Sequence, residues 1–213
     1  MRFFFRLFAG LCVLWMLASC QPSVPVRIPK CPAPQAMEEA KENMTKMKSV
    51  FRAIALDHIC QFDSVLRTEA EKIGWDWRML ASIIYQESHF KPDLVNEKGA
   101  FGLMQLMPVT MAKYGIDYNS SVEEQLEVAG KLLLHFDREL PESIIDSLER
   151  DNFILASYNA GMGTVLEARK RAERNGKNPD VWLDNVELYS PRQTYCFVRE
   201  IQKRYSHYKI LIE

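Results

Sequence analysis

From Phe62 to Ile210 the apolar residues recur at three- and four-residue steps, and nowhere do they alternate long enough to make a strand. A stripe of that period lies on one face of an α-helix, whereas a half-buried strand needs a period of two. The chain is therefore confined to a mostly α fold. Val65, Leu66, Ala70 and Ile73 form the first face, closed by Gly74, which suits a left-handed helix cap. Asp76 is placed to cap the start of the next helix. That helix runs through Trp77, Leu80, Ala81, Ile84 and Tyr85, and Pro92 ends it. A loop from Lys91 to Phe101 carries Gly99. A short helix is expected near Leu103, with Pro108 early in the one after it. Val122 to Leu140 is amphipathic, with Leu126, Ala129, Leu133 and Phe136 inward. Asp151 to Tyr158 and Val165 to Arg174 flank a Gly161/Gly163 turn, and Phe197 to Ile210 is the last helix. No internal repeat is present. The expected architecture is a compact bundle around one central helix with little or no β structure.

The first residues are of a different kind. Arg2 and Arg6 flank an apolar run from Leu7 to Leu17, too short for a mature membrane span of roughly 20 residues but of the size of a secretory leader. It ends in Leu17-Ala18-Ser19-Cys20, which resembles a lipobox. Residues 1–19 are thus expected to be a lipoprotein signal peptide and Cys20 the lipidated residue. Such an anchor carries more than one acyl chain and holds stably. Gln21 after the cysteine favours the outer membrane, facing the periplasm. Residues 20–35 hold Pro22, Pro25, Pro29, Pro32 and Pro34 and read as a semi-extended tether. Met37, Ala40, Met44, Met47 and Phe51 space out an amphipathic helix over residues 36–60.

Lys plus Arg number 27 against 28 Asp plus Glu, a net charge of −1. A nucleic-acid binder would show a basic excess or a basic stripe, so nucleic acid is not an expected partner. Of five cysteines, Cys12 leaves with the leader and Cys20 takes lipid. Cys31, Cys60 and Cys196 can form at most one internal disulfide, whose pairing the sequence does not fix. Cys60–Cys196 is the favoured pair because both lie in the folded region. No cysteine or histidine spacing suits a metal, and neither metal nor cofactor is expected.

The chemistry centres on Tyr85-Gln86-Glu87-Ser88-His89-Phe90. Glu87 sits at the C-terminal end of an apolar helix, where the helix dipole disfavours a carboxylate. Ile84 and Phe90 desolvate it further. Both effects raise its pKa, and a carboxylic acid held protonated near neutral pH is what glycosidic cleavage requires. An isolated glutamate at a helix end is ordinarily just solvated; its context gives this one weight. Asn96 follows, then Gly99-Ala100-Phe101-Gly102-Leu103-Met104-Gln105-Leu106-Met107-Pro108, and later Ala156-Ser157-Tyr158-Asn159-Ala160-Gly161-Met162-Gly163.

These three blocks, in this order, resemble the catalytic domain of the lytic transglycosylases, in the soluble-type and membrane-bound F-type branch. The resemblance implies a goose-type lysozyme-like helical fold and a catalytic domain over residues 61–213. It implies that Glu87 is the single catalytic acid/base. Gln105 and Met107 would lie near the reacting sugar, and Tyr158 and Asn159 would close over it. Asn96 stands where the family usually has serine, and would also contact substrate. Gly99, Gly102 and Gly161 would mark tight turns or places where a side chain would intrude; for Met104 and Met107 the plainer reading is packing. Near the C-terminus the family often shows Glu-Thr-Arg-x-Tyr-Val, where this chain has Gln193-Thr194-Tyr195-Cys196-Phe197-Val198. That side of the cleft is expected to differ.

Among other residues, Trp182 fits core packing better than sugar stacking. Trp75 and Trp77 cannot share a helix face, so one of them is core. His89 reads as solvated. Asp93, Glu97 and Glu127 are surface candidates for a second carboxylate, and none stands in a motif. The family's mechanism needs only one acid. The resemblance implies that Glu87 would protonate the glycosidic oxygen of a peptidoglycan strand between MurNAc and GlcNAc, then take the proton of the muramyl C6 hydroxyl as a 1,6-anhydro ring closes. The rival readings are a goose-type lysozyme-like hydrolase on the same fold and a non-catalytic peptidoglycan-binding lipoprotein.

Overall fold

A computed structural model describes residues 59–212. The leader over 1–19, the lipidated Cys20, the tether over 20–35 and nearly all of the helix expected over 36–60 lie outside the described residues. Seven α-helices carry the described chain: α1 Asp63–Ile73, α2 Trp77–Ser88, α3 Pro108–Tyr114, α4 Val122–Glu139, α5 Ser147–Ala160, α6 Met162–Arg174 and α7 Arg192–Leu211. A short 3-10 helix, Val186–Tyr189, precedes α7. Among the described residues the β structure is limited to two isolated bridges, Val95 with Phe101 and Phe101 with Leu106.

The helix boundaries follow from their capping residues. Gly74 adopts the left-handed conformation at φ 72° and ends α1. Asp76 starts α2 by accepting the Arg78 N–H. Pro108 occupies the first turn of α3, where its missing N–H costs nothing. Ser121 and Glu124 form a reciprocal capping box on α4. Asp146 caps α5, so that helix begins four residues before the expected Asp151. The helices α6 and α7 likewise start earlier than their apolar patterns, directly after Gly161 and Pro191.

The helix α2 is central. Met79 through Ile84 are buried without interruption, as expected of a helix enclosed on every side. It packs most extensively on α7 and also on α1; α5 is enclosed by α4, α6 and α7. Arg78 binds Asp76 and the Ile212 carbonyl, and Tyr205 donates to Asp76, which fastens the end of α7 to the start of α2. Trp182 is fully buried against Phe153 with rings at 77°. Trp77 is the core tryptophan and Trp75 is partly buried.

Two expectations are corrected. No helix forms near Leu103. Gly102 and Gln105 both take positive φ, 79° and 47°, and the segment closes instead as a turn, with Phe101 and Leu106 exchanging both backbone hydrogen bonds. Cys60 and Cys196 are not bonded to each other: both are free. Cys196 faces outward on α7, whereas Cys60 lies partly buried at the entry to α1, where burial pushes its thiol up to about 12. Among the described residues no helix is long and apolar enough to cross a membrane.

Candidate active site

Glu87 is the penultimate residue of α2. The helix cannot run on, because His89 and Phe90 take φ of 52° and 61° in succession. A non-glycine residue in this region costs on the order of 1 kcal/mol or more. Among the described residues only four non-glycines have positive φ: His89, Phe90, Gln105 and Asp184. Three of them belong to the Glu87 and Gly99–Pro108 blocks. Such strain persists where the surrounding packing over-determines it, and it clusters at functional sites.

The Glu87 carboxyl is partly buried and, among the described residues, has neither a hydrogen-bond nor an ion-pair partner. Burial pushes it up to about 7. Nothing compensates the loss of water, so the neutral acid is favoured. Tyr158, at the end of α5, lies close enough to feel the Glu87 charge. Burial, and after it the Glu87 charge, hold its phenol well above the ordinary value. The neutral Tyr158 hydroxyl donates to the Met104 carbonyl at 2.5 Å. This bond joins the glycine-rich turn to the Tyr-Asn-Ala-Gly block.

The turn itself is held by amides. Gln105 donates from Nε2 to the carbonyls of Leu94 and Gly102, both at 3.0 Å. That leaves its amide oxygen without a partner among the described residues. Asn96 is committed to its own loop: Oδ1 accepts the N–H groups of Lys98 at 2.8 Å and Ala100 at 3.1 Å. Met107 is 42% exposed and Met104 is fully buried, so of the two methionines only Met107 presents a surface to a ligand. Asn159 accepts a hydrogen bond from Thr194 at 2.9 Å, which ties the end of α5 to the first turn of α7. The second-carboxylate candidates Asp93, Glu97 and Glu127 are all exposed, and Glu127 pairs with Lys131. His89 is exposed.

The least anticipated residue is Gln125. It is fully buried on α4, accepts the Leu103 N–H at 2.9 Å and donates to the carbonyls of Pro92 and Ser120. Gly102 is required beside it, since a Cβ there would lie 2.0 Å from the Gln125 amide oxygen. The signal was available in the spacing. Gln125, Ala129 and Leu133 stand at successive four-residue steps, so a polar side chain occupies an inward position. In the altered C-terminal stretch, Thr194, Phe197 and Val198 face inward while Gln193 and Cys196 face outward. Of the three positions that depart from the expected pattern, Gln193 is exposed, Tyr195 partly buried and Phe197 buried.

A cavity of about 410 Å³ opens at the other end of α2, walled by Trp75, Met79, Asp137, Arg150, Asp151 and Tyr205. Glu87 does not line it. Among the described residues an unpartnered acid, a buried phenol and a strained loop coincide at Glu87.

The sequence profile of the transglycosylase SLT domain matches residues 64–181. The chain is 39% identical over 128 residues to the membrane-bound lytic murein transglycosylase F of Marinobacter nauticus, covering 60% of this chain and 25% of that protein. It is 34% identical over 170 residues to the protein of the same name from Desulfosudis oleivorans, covering 71% and 36%. The chain thus spans about a quarter to a third of the length of these relatives. Among solved structures, an inactive mutant of the lytic transglycosylase Slt from Pseudomonas aeruginosa superposes with a TM-score of 0.52 at 24% identity, covering 70% of this chain and 24% of that one. The 70 kDa soluble lytic transglycosylase from Escherichia coli gives the same TM-score at 19% identity, covering 71% and 26%. At such identities these structures speak for the fold alone, which is mostly helical.

Proposed function

The chain belongs to the transglycosylase SLT domain family, and from that premise we propose that it cleaves the MurNAc-GlcNAc β-1,4 bond of peptidoglycan without consuming water. One observation carries the reading: Glu87 is an acid with no counter-charge, pushed up to about 7 by burial alone and set beside Tyr158. At neutral pH a large share of it is protonated and ready to donate to the glycosidic oxygen. As the bond breaks, the muramyl N-acetyl oxygen assists at C1 and Glu87 becomes a carboxylate. It then removes the C6 hydroxyl proton, O6 bonds to C1, and the ring closes as a 1,6-anhydro sugar. Glu87 ends as it began, so the proton balance closes. The intramolecular attack has a high effective concentration, and one acid suffices where hydrolysis by two carboxylates needs a partner within about 5 to 9.5 Å.

Gln105 offers its free amide oxygen and Met107 its exposed face, and Tyr158 and Asn159 supply the remaining substrate contacts. Asn96 serves the site by shaping the loop. The leader over 1–19 and Cys20 make the protein an exported lipoprotein, anchored in the outer membrane and facing the periplasm; the Pro-rich residues 20–35 tether residues 61–213 within reach of the wall.

The test is the mass of the products. Purified sacculi digested by the full chain should release muropeptides ending in 1,6-anhydromuramyl groups, and Glu87→Gln should release none. Products carrying only reducing ends, each heavier by one water, would assign the fold to a hydrolase. Equal clearing by Glu87→Gln would remove Glu87 from the chemistry.

A further inference from the structure

We propose that Thr194 is a positioning residue for Asn159, holding its side-chain amide in place at the end of α5; the inference rests on the reading of Asn159 as a substrate contact. Thr194 is the third residue of α7 and is 1% exposed. Within a helix a threonine hydroxyl commonly bonds the carbonyl four residues back. In a first turn no helical carbonyl stands there, and the hydroxyl is free to reach across. It does so to Asn159, donating from Oγ1 to Oδ1 at 2.9 Å. With the oxygen so held, the Asn159 Nδ2 group has no partner among the described residues, although Asn159 is only partly buried.

The consequence is chemical. With one end of the amide held by Thr194, the other end is left for a polar group of the sugar, a hydroxyl or an N-acetyl group. Thr194 supplies that hold from a different helix.

The experiment is a double-mutant cycle in the full chain, with rates measured against glycan concentration and products identified by mass. Thr194→Val keeps the shape and loses the hydroxyl. It should raise KM about fivefold, the worth of one ordinary hydrogen bond, with kcat changed less than twofold. Thr194→Ser should restore most of the loss. In an Asn159→Ala background Thr194→Val should add nothing. A merely structural role would instead move the melting temperature and lower kcat equally in both backgrounds. Wild-type KM in Thr194→Val, or an effect that survives intact in Asn159→Ala, overturns the inference. If Thr194→Val melts below the assay temperature, Thr194→Ala takes its place in the same cycle. Should the wild type yield no anhydro products, the reading of the activity fails instead, and that outcome is seen before any variant is compared.

Discussion

Tyr158 on α5 donates its hydroxyl to the main-chain oxygen of Met104, 2.5 Å away and 54 residues earlier in the chain. The bond fixes the phenol beside Glu87 and braces the turn from Gly102 to Gln105. Tyr158→Phe removes it while keeping the ring. The phenylalanine variant should lose about 1 kcal/mol of stability, and up to about 3 if the Met104 carbonyl is left dry. Its kcat should fall at least tenfold, because turn and acid no longer share a fixed geometry. Urea unfolding and initial rates on sacculi measure the two effects separately. Unchanged kcat would remove Tyr158 from the site.

Glu87 couples activity to stability in opposite directions. Its folded pKa, about 7, lies above the ordinary carboxyl value of 4.5. The native state therefore holds a proton that the unfolded chain has released, and stability falls as pH rises between those two values. Glu87→Gln abolishes that loss. Above pH 7 the inactive glutamine variant should be more stable than the wild type by up to about 3 kcal/mol. At pH 4 the two should unfold together. Melting curves at both pH values provide the check, and a variant less stable at pH 8 would contradict the desolvated-acid assignment.

The same group sets the pH profile of the reaction. The step that breaks the bond needs the neutral acid, so kcat/KM should decline above about pH 7, following the free protein. A rate that keeps rising to pH 9 would mean that another group donates the proton.

Gln125 holds the glycine-rich turn by three hydrogen bonds from inside the core. Gln125→Leu strands the Leu103 N–H and two carbonyls. The expected cost is about 2–4 kcal/mol, with activity lost in proportion to the disordering of the turn. Gly102→Ala should do comparable harm, since the left-handed φ of 79° and the Gln125 amide oxygen 2.0 Å from a Cβ act together. If both variants melt like the wild type, the turn does not depend on this contact.

Asp151 is the second carboxyl driven upward, to about 6, first by burial and then by Asp137 and Asp146. It lines the cavity at the far end of α2. Its contribution favours the native state below about pH 4 and is lost as pH climbs to 6. Asp151→Asn should therefore stabilise the protein by about 1–2 kcal/mol at pH 7, after allowance for solvent screening, and by nothing at pH 4. Calorimetry at the two pH values tests it; equal gains at both would point to packing rather than charge.

Much of this was legible in the chain before any coordinates. The helices with three or four inward apolar residues, α1, α2 and α4, appear where their stripes place them, because burial alone decides them. Their ends were legible where a glycine or an aspartate stands at the cap. The segment near Leu103 misled, because apolar residues packed under a turn have no period of their own. What fixes it is Gln125, more than twenty residues away. Glu87 and Tyr158 stand out by their motifs, yet no motif states that the phenol binds Met104 or that Thr194 bonds Asn159. Such contacts depend on which helix ends meet, and local spacing carries no information about that. The disulfide expectation failed for the same reason: two cysteines in one folded region need not face one another.

A carboxyl with no counter-charge has its acidity governed by how much solvent reaches it. A sugar chain laid over Glu87 would displace still more of that solvent, so occupancy itself should tighten the grip of Glu87 on its proton. Loading the strand would then draw a proton from the buffer, and the protein would be most fully armed only when there is something to cut.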